Sequence, residues 1–434
     1  MFNISYGRWI GQRQIVISKL LKLFTLTGVI LAAELINPIS TVFAAVNINY
    51  PSVQYSNKTL TVVGNQVLYS NGHSYIPEGI SVYGGLEDTD YMENIPNVNA
   101  QIIAAAKYWY ANTIRLQIAE SNLFINLKPG QTYNNGFLQA IIKQVNLALS
   151  LNMFVVLNDQ TEFTSQTPGP TQVTVKFWKV MSQTFKNQPN VIFDLFNEPR
   201  IDGVISSHRQ TLLDSRLINL GLSLKARHLR LTAQSNSAEI WSLWKNGGKV
   251  NGTTYIGMQT LINQIKGYGV NNLIWVEGPN QARELPSSNY LIKGGNIIYS
   301  FHHPNLNNPS SWNTIGTLSN IVPVVDGEWA QYQSPWAECY SRAYTNVPIY
   351  LNYLQKHNIG IIAWSLQAGS LLQDSNHAIP SNLNTPNSPK NAGNLKSPSK
   401  LFPSYDCGYE FGQGVGQLLQ IYFSQNSFRS SSFN

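Results

Sequence analysis

Val191-Ile192-Phe193-Asp194-Leu195-Phe196-Asn197-Glu198-Pro199 is the stretch from which the rest of the chain can be read. An almost unbroken apolar run ends abruptly in a polar pair and a proline. A strand with one wet face alternates apolar and polar residues. A continuous run is the pattern of a parallel strand buried on both faces. Similar runs recur on either side: Tyr75–Val82, Thr113–Ile118 and Met153–Leu157 before it, then Leu273–Val276, Ile297–Phe301, Ile321–Val325 and Ile359–Trp364 after it. Helical periodicity separates them, over Asn99–Tyr110, Gly136–Leu149, Val173–Phe185, Met258–Gly267 and Ala337–His357. Strand–helix units repeated in this way predict an α/β fold, a (β/α)8 TIM barrel. The doubly wound open sheet is the alternative, but it would not gather the strand ends around one mouth.

The flanks complete the organisation. Residues 46–70 read as a short N-terminal β segment forming a hairpin (Val46–Tyr50, then Leu60 to Tyr69), and 71–425 as one catalytic domain. Residues 201–256 form a long insertion after the fourth strand. Residues 374–404, rich in Asn, Ser and Pro, read as a surface loop. Gly412–Phe423 reads as a closing helix, and 426–434 as a disordered tail. Residues 1–45 carry Arg8, Arg13, Lys19 and Lys22, an apolar stretch Leu23–Ala33, and small residues at Ala44-Ala45. That order predicts a secretory signal peptide and a secreted protein, with an uncleaved N-terminal membrane anchor as the alternative.

Composition narrows the function. The chain has 434 residues, 43% hydrophobic and 12% charged, with a net charge of +7. The bases do not cluster as they do in nucleic-acid binders, so no nucleic-acid partner is expected. The 22 Tyr, 17 Phe and 10 Trp serve a core first, but loop aromatics also suit stacking on sugar rings. Cys339 and Cys407 are too few for a cysteine metal site. In an exported chain they pair as one disulfide or remain two buried thiols. No P-loop, His-Glu-x-x-His or Gly-x-Ser-x-Gly occurs.

In barrels of this kind the chemistry sits where the strands end. The fourth run ends at Asn197-Glu198, and the seventh continues as Val325-Asp326-Gly327-Glu328-Trp329. Two glutamates facing each other across the mouth are what retaining glycoside hydrolysis requires, one protonating the leaving oxygen and one attacking the anomeric carbon. Such chemistry needs no metal and no cofactor.

At these residues the sequence resembles glycoside hydrolase family 5, the cellulase-type (β/α)8 enzymes, over roughly residues 70–425. The resemblance implies Glu198 as acid/base, Glu328 as nucleophile, and Asn197 on the substrate's 2-hydroxyl. It also implies Arg115 under the nucleophile, His302 at the end of strand six, and Trp364 as the sugar platform. The chain departs from the family pattern at two places. Gln160 of Asn158-Asp159-Gln160 stands where a histidine is expected, and Pro304 where a tyrosine would donate to the nucleophile. His303 is the candidate substitute for that tyrosine. The expected substrate is a β-linked polysaccharide, cleaved by a monomeric endo-β-1,4-glucanase, with β-mannanase as the sibling reading. A non-catalytic carbohydrate-binding cell-surface protein is the reading from another class. Trp241 and Trp244 in the insertion either wall the cleft or join the core. The sparse acidic residues also predict acid tolerance, since fewer carboxylates protonate on acidification.

Overall fold

The computed structural model describes residues 59–161, 167–208, 238–302, 304–306, 308–329, 343–366, 371 and 415–431. The chain enters through an antiparallel hairpin, β1 (Leu60–Val63) and β2 (Gln66–Tyr69), turning at Gly64, whose φ of +62° suits glycine. Eight parallel strands then close on themselves: β3 (Glu78–Val82), β4 (Thr113–Ile118), β5 (Phe154–Asp159), β6 (Val191–Asp194), β9 (Ile274–Glu277), β10 (Ile297–His302), β11 (Val324–Trp329) and β12 (Gly360–Ala363), with β12 pairing back onto β3. Between β6 and β9 the insertion contributes the exposed hairpin β7 (Gly247–Val250) and β8 (Thr253–Ile256). The (β/α)8 barrel with its N-terminal hairpin is therefore present. The hairpin lies wholly within 60–69; residues 46–50 lie outside the described residues.

Both faces of the strands are buried. Along β4, Ile114, Leu116 and Ile118 join the layer that packs against the helices, while Thr113, Arg115 and Gln117 take the other parity and point inward. This is why no hydropathy alternation appears. Inside, a second cluster of Phe154, Val156, Ile192, Leu273, Trp275, Ile298, Val325 and Ile362 fills the lower barrel, and Leu60, Val67 and Tyr75 close it from below. The hairpin is thus a stopper at the N-terminal end of the strands.

Among the boundaries that differ from the sequence reading, three bear on the barrel and its ends. The first run extends upstream of its strand: β3 starts at Glu78, and Tyr75 belongs to the stopper. The seventh strand is displaced. Ile321 is 50% exposed in a turn, and β11 runs on through polar Asp326 and Glu328, which hydropathy reads as the strand's end. The tail expected to be disordered from 426 is helical through Ser431, within the helix Val415–Ser431. Leu419 and Phe423, four apart on one face, are fully buried, and the Asn426 side chain donates to the Glu78 carboxyl, which anchors the helix past Phe423. Among the described residues no helix is long and apolar enough to cross a membrane.

Candidate active site

Glu198 follows β6 in a left-handed conformation, φ +43°, which costs a residue with a Cβ and is held here by its neighbours. The N–H of Asn197 donates to Asp159 O (2.8 Å), and the N–H of Glu198 donates to the carboxylate of Glu277 (2.6 Å). This fixes both residues at the C-terminal rim. The Glu198 carboxyl stands 3.1 Å from His302 Nδ1.

Glu328 reaches the mouth by an irregularity. In plain alternation it would share the face of Asp326, whose carboxylate accepts from Tyr350 on the outer layer (2.6 Å). The register slips by one residue against both neighbours: Phe301 opposes Asp326, but His302 opposes Glu328. This β-bulge turns Glu328 inward. Gly327 permits it, since a Cβ there would lie 2.0 Å from Ser300 Oγ. As a result one oxygen each of Glu198 and Glu328, and one ring nitrogen of His302, lie within 4.8 Å of one another.

Beneath the pair sits Arg115, fully buried. Its Nε donates to Asp194 (3.0 Å), Nη1 to Glu328 Oε2 (2.6 Å), and Nη2 to Asn197 Oδ1 (2.6 Å) and Glu277 Oε1 (3.1 Å). Burial alone would ease its proton off, but the charges of Asp194, Glu328 and Glu277 outweigh that and raise its pKa. Asp194 moves up, first through burial and then through Glu277, against the opposing pull of Arg115. His302 stands 3.2 Å from Glu277 by its Nε2. Burial would lower its pKa, but Glu277 together with the Glu198 contact raises it well above the usual imidazole value.

Exposure separates the roles. The side chains of Glu198 and Glu328 are 16% and 10% exposed, whereas Arg115, Asp194, Glu277 and His302 are at 0%. Two carboxyls open to the mouth over a fully buried support of ionisable side chains. Trp364 follows β12 half-buried at the rim, its N–H donating to Trp329 O (2.8 Å) and its ring meeting Tyr83 edge-on at 5.1 Å. Gln160 is buried at the end of β5, with its N–H on Ile118 O (2.8 Å). His303, Cys339 and Cys407 lie outside the described residues.

Three members of the site have no role in the sequence reading: Asp194, which takes Arg115 Nε, Gln117 and Glu277. Gln117 Nε2 donates to Glu328 Oε2 (3.4 Å). It stands two residues beyond Arg115 and so shares its face, a signal the period of two offers. Glu277 ends β9, where a lone glutamate after an apolar run looks like any strand terminus. Trp241 and Trp244 are core residues, each 2% exposed, so they do not wall the cleft. Trp244 Nε1 donates to Glu277 O (2.7 Å), packing behind the fifth strand's end.

The model of the cellulase family, glycosyl hydrolase family 5, matches residues 78–370. No curated protein matches the chain. Solved structures with the same fold include a cellulase of that family from an Icelandic hot spring isolate (18% identity, TM-score 0.54, covering 85% of this chain and 95% of that one). A β-glucanase of Saccharophagus degradans, solved with cellotetraose, is 17% identical (TM-score 0.54; 86% and 94%). The catalytic domain of a Thermobifida fusca endoglucanase, also solved with cellotetraose, is 14% identical (TM-score 0.53; 84% and 97%).

Proposed function

The chain belongs to the cellulase family, glycosyl hydrolase family 5, and is a glycosidase; from that premise we propose that it hydrolyses a β-1,4-glucan internally and with retention, using Glu198 as acid/base and Glu328 as nucleophile. The observation that supports this most is the separation of the two carboxyls, with oxygens within 4.8 Å. Retaining pairs stand about 5–5.5 Å apart and inverting pairs about 6.5–9.5 Å, with room for a water. In the first step Glu328 forms a bond to the anomeric carbon while the bond to the leaving oxygen breaks, and that oxygen takes the proton of Glu198. In the second step water attacks the same carbon, Glu198 takes the water's proton, and Glu328 leaves. Arg115 and Gln117 both donate to Oε2 of Glu328, so Oε1 is the attacking atom. Arg115 occupies Oδ1 of Asn197, which leaves Nδ2 for the sugar's 2-hydroxyl. Trp364 is the stacking platform at the rim.

Purified protein assayed on carboxymethylcellulose, mannan, xylan and β-1,3-glucan, beside Glu198→Gln and Glu328→Gln, tests the reading. The expected result is hydrolysis of carboxymethylcellulose, with β-anomeric product first, and loss of at least about a thousandfold in each variant. Full activity in either variant overturns the assignment, and preference for mannan moves the substrate to the sibling reading. We also infer export, with residues 1–45 as the leader. N-terminal sequencing of protein from the medium checks it, and a retained leader on membranes contradicts it.

A further inference from the structure

Glu277 makes no approach to the mouth, yet it touches three parts of the machinery. Its backbone is closely packed: Trp244 donates to its carbonyl, and a Cβ on the next residue, Gly278, would fall 1.8 Å from Glu284 O. Its Oε2 takes the N–H of Glu198, and its Oε1 stands 3.1 Å from Arg115 Nη2 and 3.2 Å from His302 Nε2. Arg115 already has acidic partners in Asp194 and Glu328, so it does not need a third for charge balance. On its Nε2 side, His302 has Glu277.

We propose that Glu277 is a positioning residue of the hydrolysis, keeping His302 a donor to one oxygen of Glu198 and so leaving the acid proton on the other. The proposal rests on the roles given above to Glu198 and Glu328. The charged groups around His302 are Glu277 from β9, Glu198 after β6, Glu328 from β11, and, one step back, Arg115 from β4 and Asp194 from β6. With a carboxylate on Nε2, the ring carries both protons, and Nδ1–H donates to Glu198 Oε1 in every state of the cycle. The transferable proton then resides on Oε2. When it leaves for the glycosidic oxygen, the carboxylate formed keeps its Nδ1–H donor. With the amide oxygen of Glu277→Gln facing Nε2, the ring keeps its one proton there, Nδ1 becomes an acceptor, and it draws the acid proton to Oε1, away from the leaving oxygen.

Glu277→Gln keeps the shape, removes the charge and leaves one accepting oxygen where the carboxylate has two. It is to be compared with wild type on two substrates, the polysaccharide that wild type cleaves and 2,4-dinitrophenyl β-cellobioside, whose leaving group needs no proton. The expected result is a fall in kcat of about 100-fold on the polysaccharide with KM little changed, and less than about fivefold on the aryl glycoside. The alkaline limb of the polysaccharide pH profile moves to lower pH, and Glu277→Asp recovers part of it. Equal losses on both substrates, or no loss, overturn the proposal. If Glu277→Gln does not fold, 15N NMR of histidine-labelled wild type decides: His302 protonated at both nitrogens across the active pH range supports it, and a neutral ring there overturns it. Wild type inactive on both substrates overturns the glycosidase roles themselves, whereas active wild type with equal losses overturns Glu277 alone.

Discussion

The two ends of the barrel are built from the same strands and have opposite chemistry. Near the hairpin the inward residues are Phe154 and Val156 on β5, Ile192 on β6, Trp275 on β9, Ile298 on β10 and Ile362 on β12. Two to four residues further along the same faces stand Asn158, Asp194, Glu277, His302 and Trp364. The lower end is closed by Leu60, Val67 and Tyr75, and its cohesion is hydrophobic. The upper end buries a guanidinium among three carboxylates and an imidazole, an arrangement that is costly to desolvate and tolerable only because each charge has a partner. The difference teaches where stability and function reside: the stopper holds the fold, and the mouth holds charge in place at the expense of stability.

Removing the hub should produce the largest effect. Arg115→Met leaves Asp194, Glu277 and Glu328 facing one another without the guanidinium, with His302 beside Glu277 alone to offset them. Breaking a buried pair costs about 3–5 kcal/mol. The variant is expected to lose measurable hydrolysis and to melt well below wild type in a thermal scan. An unchanged melting point would mean that the mouth is wetter than its burial indicates.

Acidity should separate the two ends next. Burial, then Asp88, pushes Glu87 up to about 8, and burial pushes Glu120 up to about 7; both follow strand ends on the mouth side. His302 is raised as well. Groups whose folded pKa exceeds the unfolded one bind protons more tightly when folded. Their stabilisation is full below the unfolded value, 4.5 for these glutamates, and is lost as pH rises through the folded values. Melting temperature is therefore expected to fall between about pH 5 and 8, and Glu87→Gln to flatten that fall, as followed by calorimetry. A melting temperature that climbs over this interval contradicts the assignment. At the stopper, Tyr69 is raised to about 12 and Tyr75 also titrates above this window, so variants there should leave the slope unchanged.

The bulge comes third. Gly327→Ala sets a methyl group against Ser300 Oγ, and such overpacking costs about 1–3 kcal/mol. Because relief comes from straightening β11, which rotates Glu328, kcat should fall more than stability. Ser300→Ala, which withdraws the clashing oxygen, should restore part of both. No rescue by that second change would mean the bulge is held by something other than Gly327.

These cases mark how far the sequence is legible. The strands were readable because burial on both faces leaves a continuous apolar run. Glu198 was readable because Asn-Glu-Pro ends one. Glu328 was identified, but its inward aim was not derivable, since it shares parity with outward Asp326 and only the register slip separates them. Glu277 was invisible for the opposite reason. Its position follows ordinary alternation from Trp275, and its partners come from β4, from β10 and from the residue after β6, all distant in sequence. The contacts that decide such roles are long-range, and hydropathy does not carry them.

Tyr75→Phe should have the smallest effect and locate the boundary between the ends. Tyr75 OH meets Thr113 Oγ1 at 2.7 Å, and Thr113 in turn donates to Asn112 Oδ1 at 2.6 Å, so the tyrosine is the donor into that hydroxyl. Phenylalanine keeps the ring between Tyr69 and Phe154, with centroids 5.7 and 4.5 Å away, and removes one buried hydrogen bond. The cost is about 1 kcal/mol, a melting point lower by about 2 °C. Thr113 and Arg115 point inward from the same strand two residues apart, so this variant lies one layer below the hub. If the layers are independent, kcat and the pH profile stay at wild-type values while the melting point drops. A change in kcat would show that the stopper sets the height of Arg115, and that the two ends act as one unit.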